Sequence, residues 1–343
     1  MTADFTWRDA GRTVVLRRGG VGAAVEILRD QGVAEFELLS TERALAGAGA
    51  LAEGAGRVHE VAAGQVPAAA APLLGALAPP QAAKEGVRAC PLVALGGGRV
   101  IDVAKAVAAI SGAEVAAIPT TLSGAEMTGF HRLPEGAEER ARGLVRPKLV
   151  IADPEAMTSQ PEDELRASSM NALAHGADTL YLPLSNPVSE MTALRGAELI
   201  ARALDQAREG RDAGALALGS LLCAYAIDSA GMGLHHLVCQ TLVRVCRTPH
   251  AETNAAILPH AVALLAERVP GPFERLAHAL GTDRAGLAGR IEGLGQPSRL
   301  GAVGGDSSQL DGALDAMLQR PELEYVPRPP SRDELAELVG RAW

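Results

Sequence analysis

The stretch SSMNALAHGADTLY, from Ser168 to Tyr181, places Asn171 and His175 four residues apart, with Asp178 three further on. On a helix that spacing puts all three on one face. An imidazole beside an amide and a carboxylate can form half of a metal site or a proton-handling cluster. A hard or borderline divalent metal normally takes a carboxylate where Asn171 stands. More imidazoles follow. His236 lies in GLHHLVCQ and His250 in TPHAETNAAILPH, with His260 ten residues on. Four of the chain's eight histidines fall between 235 and 260. A lone histidine is usually structural, but this density in mostly apolar segments points to a site, with imidazole as ligand or proton carrier.

Two stretches in the first half have the chemistry of phosphate binding. In LVALGGGRVIDVAKAVAAI a short apolar run enters Gly96, Gly97 and Gly98 and then a helix. Glycines let a backbone approach a phosphate, and the helix start offers unpaired N–H groups. Asp102 and Lys105 are one turn apart on that helix. The plain alternative is a tight strand-to-helix turn, and the run is not the GxGxxG dinucleotide fingerprint. In AIPTTLSGAEMTGFHR a strand ends at Pro119, and Thr120, Thr121, Ser123 and Gly124 supply hydroxyls and amides at its carboxyl end, where open α/β sheets bind ligands. A capped loop before a helix reads equally well.

Alternating elements must carry these loops. Thr13 to Arg18, Phe36 to Thr41, Leu92 to Leu95, Glu114 to Pro119 and Lys148 to Pro154 read as short strands, and Gly22 to Gly32 as a helix with a glycine stop. Such alternation predicts a parallel sheet with crossover helices. Val66 to Ala83 reads as a helix with a ragged end or as a low-complexity loop. After about Pro154 the strand signal fades and helical periodicity takes over to the end. The expected layout is an α/β domain over residues 1–155 and an all-helical domain over residues 156–343, with a cleft between them as the ligand site.

The chain has 343 residues, 48% of them apolar but only 3% aromatic, so the core is built from Ala, Val, Leu and Ile. That length fits about two domains. The net charge of -9, without long like-charge runs, argues against a nucleic-acid partner, which would need clustered Lys and Arg. No apolar stretch reads as reaching the ~18 residues of a membrane span, and the N-terminus lacks a signal-peptide pattern. Cys90, Cys223, Cys239 and Cys246 lack disulfide or CxxC spacing, which predicts free thiols and a cytoplasmic location.

Together these motifs resemble the iron-containing alcohol dehydrogenase superfamily, whose GGGSxxDxAK loop, PTTxxxGSE loop, NA-or-DA-then-His helix and GxxH…PHxxxNAxxLPH segment appear here as GGGRVIDVAK, PTTLSGAE, NALAH and GLHHLVCQTLVRVCRTPHAETNAAILPH. Within it, GAEMT, NALAHGADTLY, PHAETN and PRPPSRDELAELVGRAW look most like the maleylacetate reductase branch. The resemblance implies the dehydroquinate synthase-like fold: a Rossmann-like parallel-sheet domain that binds NADH or NADPH, followed by an all-helical catalytic domain. It implies nucleotide contacts from Gly96, Gly97, Gly98, Arg99, Asp102, Lys105, Thr120, Thr121, Ser123 and Met127. The implied reaction reduces the carbon–carbon double bond of maleylacetate, a small enone acid, to give 3-oxoadipate. A homodimer is also implied.

By position, Asn171, His175, His236 and His250 stand where metal-dependent relatives bind iron or zinc. Asn171 looks like a branch feature in place of the usual Asp, so the expectation is a metal-free or weakly metal-binding site. Gln240 occupies a position usually held by another histidine and cannot shuttle a proton at neutral pH. His250 is then the first substitute and His236 the second. Arg99 replaces the usual Ser and is expected either to contact a phosphate or to crowd the turn. Arg244 and Arg247 are expected either to clamp a carboxylate or to lie on the surface. Two alternatives to the reductase stay open: a metal-dependent alcohol dehydrogenase acting on an aldehyde or ketone, and a homologue that keeps the fold without redox chemistry.

Overall fold

A computed structural model describes residues 11–77, 89–141 and 143–343. The chain forms two compact units, one within Arg8–Ser159 and one within Gln160–Trp343.

The first unit is a six-stranded sheet: β1 (Thr13–Leu16), β2 (Glu37–Ser40), β3 (Arg57–Glu60), β4 (Leu92–Gly96), β5 (Val115–Pro119) and β6 (Leu149–Ala152). The spatial order is β1-β6-β5-β4-β2-β3, and every pairing is parallel. Parallel sheets are covered on both faces, so their strands read as continuous apolar runs. Here Leu39, Leu92, Ala94, Val115 and Ala117 pack on one face beneath Val100, Ile101, Val103 and Ala104 of helix α2, which follows β4. Leu38, Val93, Leu95, Ala116, Ile118 and Ile151 pack on the other, against Ala24, Ile27 and Leu28 of helix α1. Helix α1 is Ala24–Asp30 and α2 is Gly98–Ser111. The chain leaves β2 outward to β3 but runs from β4 back through β5 to β6. The order reverses between β2 and β4, the switch point at which such sheets take ligands outside their strand ends.

Strand β3 has no counterpart in the sequence reading. It lies at the sheet edge, three of its four residues are exposed, and its buried residue is His59, bonded to Glu37 Oε2 at 2.6 Å. A one-sided edge strand carries too few apolar residues to register as a run. Of the Val66 to Ala83 stretch, Val66–Ala70 and Leu74–Leu77 are helical with a 3₁₀ turn between them; the remainder lies outside the described residues.

The second unit is built from helices α3 (Glu162–Thr179), α4 (Pro187–Leu204), α5 (Ala213–Ala230), α6 (Leu234–Val245), α7 (His250–Arg268), α8 (Pro270–Ala279), α9 (Leu287–Gly295), α10 (Leu310–Leu318) and α11 (Arg332–Ala342). Helix α3 is central and buried continuously from Ala167 to Thr179, packing against α4, α5 and α7. Helices α4 and α5 meet backbone to backbone. A Cβ at Gly196 would lie 2.7 Å from the Gly219 carbonyl, and one at Gly219 would lie 2.8 Å from the Gly196 carbonyl.

One expectation needs correction. Helix α5 is an 18-residue segment apolar and long enough, by length and composition, to cross a membrane, although no such stretch was expected. Its weak amphipathicity has a local cause: 56% of it is buried among its neighbours, so small and apolar residues occur on most of its sides. The four cysteines are free thiols, three of them buried.

Candidate active site

In the first unit, the loops after β4 and β5 close on one another. The Thr120 amide donates to the Gly96 carbonyl at 3.0 Å. A Cβ at Gly97 would fall 3.0 Å from Thr121 Cγ2, and one at Gly98 would fall 2.8 Å from Ser123 Oγ. Side chains at Gly97 and Gly98 would therefore collide with the second loop. Helix α2 begins at Gly98 with no side-chain cap on its first amides, which leaves them free to face an anion. Ser40, at the end of β2, joins the cluster by donating to the Leu95 carbonyl at 2.8 Å. The residues fit a dinucleotide cradle.

Not every expected cradle residue faces outward. Lys105 is fully buried; its ammonium donates to the Ala125 carbonyl at 3.0 Å and pairs with Asp102 Oδ1 at 2.7 Å. It acts as a strut between α2 and the second loop. Met127 is buried, and its carbonyl accepts from Arg12 Nη1. Arg99 is exposed on the first turn of α2. Sequence reading passed over Glu126, which is fully buried with neither carboxylate oxygen hydrogen-bonded. Burial pushes its pKa up to about 7, partly offset by the nearby Lys105. Its position inside GAEMT was the available signal.

In the second unit, α3 carries Asn171, His175 and Asp178, all buried. Helices α5 and α6 are separated by Gly231-Met232-Gly233. Gly231 has φ 93°, open to glycine, and at Gly233 a Cβ would collide with the Tyr181 hydroxyl. This break aims the start of α6 at α3. Asp178 Oδ2 accepts from the amides of Gly233 at 3.2 Å and His236 at 3.3 Å, and Oδ1 accepts from the His235 amide at 3.4 Å. Tyr181 donates to Asp178 at 3.1 Å and accepts from the Leu234 amide at 2.6 Å. A buried carboxylate thus caps the positive end of α6.

The same carboxylate holds His236 Nδ1 at 2.7 Å. The bond assigns the Nδ1 proton to face Asp178 and leaves Nε2 as the ring's free position. Nε2 is buried and has no hydrogen-bond partner. His175 stacks on this ring, with centroids 4.8 Å apart and planes 7° from parallel, and its Nδ1 is also buried and unbonded. His235 meets His236 edge-on at 5.0 Å. Its role is fixed by Asn254. That amide's Nδ2 donates to the His250 carbonyl at 2.7 Å, so its Oδ1 must accept from His235 Nε2 at 2.9 Å. His235 is therefore a neutral, structural tautomer.

The electrostatics agree. Burial, then the neighbouring imidazoles, holds His175 well below the usual histidine range. Burial and His236 pull His235 down to about 3. Burial alone would raise Asp178, but its bond to His236 and the charge there outweigh it, and the net shift is downward. His250 is exposed at the start of α7, electrostatically within reach of His175 and His235. Gln240 sits one turn beyond His236 on α6. Its Nε2 donates to Met232 Sδ at 2.9 Å, and its Oε1 accepts from Arg320 Nη2 at 3.1 Å. Arg244 and Arg247 are exposed, so the surface alternative holds for both.

The family models agree with this architecture. Residues 166–343 match the C-terminal model of the Fe-containing alcohol dehydrogenase family, and residues 80–154 match the iron-containing alcohol dehydrogenase model. The chain belongs to the iron-containing alcohol dehydrogenase family. Its relatives place it in the maleylacetate reductase branch. Maleylacetate reductase of Burkholderia cepacia is 36% identical over 260 residues, 73% of each chain. That of Rhizobium sp. strain MTP-10005 is 32% identical over 99% of this chain and 97% of its own. The crystal structure of the Agrobacterium tumefaciens maleylacetate reductase superposes with a TM-score of 0.84 at 30% identity, covering 100% of this chain and 99% of that one.

The iron that names the family does not fit these residues. Among the described residues no three His, Cys, Asp or Glu side chains group to hold a metal ion. Asn171 offers a neutral oxygen where a carboxylate would offset the ion's charge. Two stacked rings in near-parallel planes do not aim their lone pairs at one point.

Proposed function

We propose that this chain is an NAD(P)H-dependent reductase of the maleylacetate reductase type, saturating the carbon–carbon double bond of a small oxo-enoic diacid without a metal ion. The observation that carries the reading is the buried, unbonded Nε2 of His236, backed by Asp178 and stacked on a neutral His175. Bound NAD(P)H supplies the hydride. The chain's own residues must then stabilise an enolate and deliver one proton to the carbon beside it.

His236 does this through Nε2. Asp178 offsets charge on the ring and fixes its orientation, so Asp178 is a positioning residue and not a proton donor itself. His175, kept neutral by burial, hydrogen-bonds the substrate oxygen from the same stack. Asn171, one turn earlier on α3, adds an amide donor without adding charge. This order places His236 ahead of His250 as the proton carrier, because a buried carboxylate stands behind the His236 ring. The cradle of Gly96 to Gly98 with Thr121 and Ser123 takes the pyrophosphate. Arg99 stands exposed at that helix start, available to a second phosphate.

The test is oxidation of NADH and of NADPH by the purified protein with maleylacetate, with and without a chelator. Turnover unaffected by chelation supports the reading. Turnover lost on chelation, with stoichiometric iron or zinc in the protein, refutes the metal-free site and favours a metal-dependent alcohol dehydrogenase. Failure to bind either nucleotide removes redox chemistry altogether.

A further inference from the structure

Gln240 lies one helical turn beyond His236 on α6, so the two share a face. Helical side chains lean toward the N-terminus. The Gln240 amide accordingly runs back over the His236 turn to Met232 Sδ, just ahead of the helix. On its Oε1 rests Arg320 Nη2 at 3.1 Å. Arg320 follows α10 and is clamped by Glu322, with Nε on Oε2 at 2.9 Å and Nη2 on Oε1 at 2.6 Å. Two of the three guanidinium nitrogens are thereby occupied. Nη1 has no hydrogen-bond partner among the described residues, and the side chain is 20% exposed.

We propose that Arg320 Nη1 receives a carboxylate of the substrate, and that Gln240 and Glu322 hold the guanidinium over the His236 face for this purpose. The proposal rests on the reductase reading above and names the group that makes the site prefer a diacid. It also accounts for the missing histidine. An imidazolium at position 240 would repel the guanidinium, whereas a glutamine oxygen accepts from it. Because Glu322 cancels the formal charge, recognition comes from two directed N–H donors on a fixed planar fork. A lysine ammonium cannot reproduce that.

The experiment uses the full chain loaded with NAD⁺ and a probe that cannot be reduced: adipate, a saturated six-carbon diacid, against its monomethyl ester. Calorimetry on the wild type should show adipate bound roughly ten- to hundredfold more tightly, the scale of a charge-assisted pair. Arg320→Ala should bring the two ligands within about threefold of each other, and Arg320→Lys should do the same. The lysine variant keeps the stem and charge, and serves if the alanine variant fails to fold. A wild type without the diacid preference, or either folded variant retaining it in full, overturns the proposal. The readout needs no turnover. A protein that binds adipate through Arg320 but oxidises neither nucleotide loses the reductase reading and keeps this one.

Discussion

Asp178→Asn is nearly isosteric and removes one buried charge. In the folded protein that charge accepts from His236 Nδ1 at 2.7 Å, from three backbone amides at 3.2 to 3.4 Å and from the Tyr181 hydroxyl at 3.1 Å. Reducing a charge-assisted hydrogen bond to a neutral one costs about 1 kcal/mol. Losing the anion at the N-terminus of α6 costs about 0.3–1 kcal/mol more. The sum, about 1.3–2 kcal/mol, should lower the melting midpoint of the helical unit by roughly 3–8 °C. The larger effect is on turnover. The asparagine amide can donate to Nδ1, so the ring can no longer hold a second proton and give one up from Nε2; in a comparable Asp–His pair that substitution costs about 10⁴ in kcat. The expected result is a kcat loss of about 10² to 10⁴ with little change in the KM for NADH.

The pH dependence checks the same carboxylate. The Asp178 pKa is depressed in the folded state, below the usual 3.8. Its stabilisation is therefore present above the unfolded value and is lost as pH falls through the folded one. The wild-type advantage over Asp178→Asn should be full at pH 7 and vanish only in strong acid. A variant with kcat within about threefold of wild type and an unchanged pH–rate profile would refute the assignment of Asp178 to His236.

His236→Ala should lower kcat by at least about a hundredfold, the scale of a lost general acid, while His250→Ala should cost less; the reverse order in steady-state kinetics would return the proton to the exposed histidine. Glu126, raised by burial to about 7 from 4.5, opposes folding when charged: stability is highest below the unfolded value and falls as pH rises toward about 7. Glu126→Gln should accordingly gain about 3 kcal/mol in denaturant melts above pH 7 and flatten that dependence, and a slope kept by the variant would exclude Glu126 as its source. Arg99→Ala should raise the KM for NADPH severalfold more than that for NADH if its guanidinium meets the extra phosphate; equal effects on both would place it off the nucleotide.

The histidine helix, the glycine loop and the loop after Pro119 were legible because each is a short run whose chemistry depends on neighbours along the chain. Asn171, His175 and Asp178 share a face by helical period alone. Strands β2, β4, β5 and β6 announced themselves as apolar runs, since both faces of the sheet are covered. Strand β3 did not, because an edge strand needs few apolar residues. Lys105 was misleading for a related reason. A charged residue on an amphipathic helix reads as solvent-facing until the Ala125 carbonyl and Asp102 are seen to enclose it.

By itself the sequence determined the order of the elements, the two kinds of architecture and the family. Hydrophobic period, glycine placement and motif spacing are local properties of a chain. Only the tertiary structure decided which histidine has a carboxylate behind it, which is locked as a neutral tautomer by Asn254, and which side chain sits where another histidine was expected. Asp178 and His236 are 58 positions apart, and Gln240 and Arg320 are 80 apart. No periodicity links such pairs. The packing of α6 on α3 and the turn after α10 bring them within hydrogen-bonding distance, and proton chemistry depends on that distance.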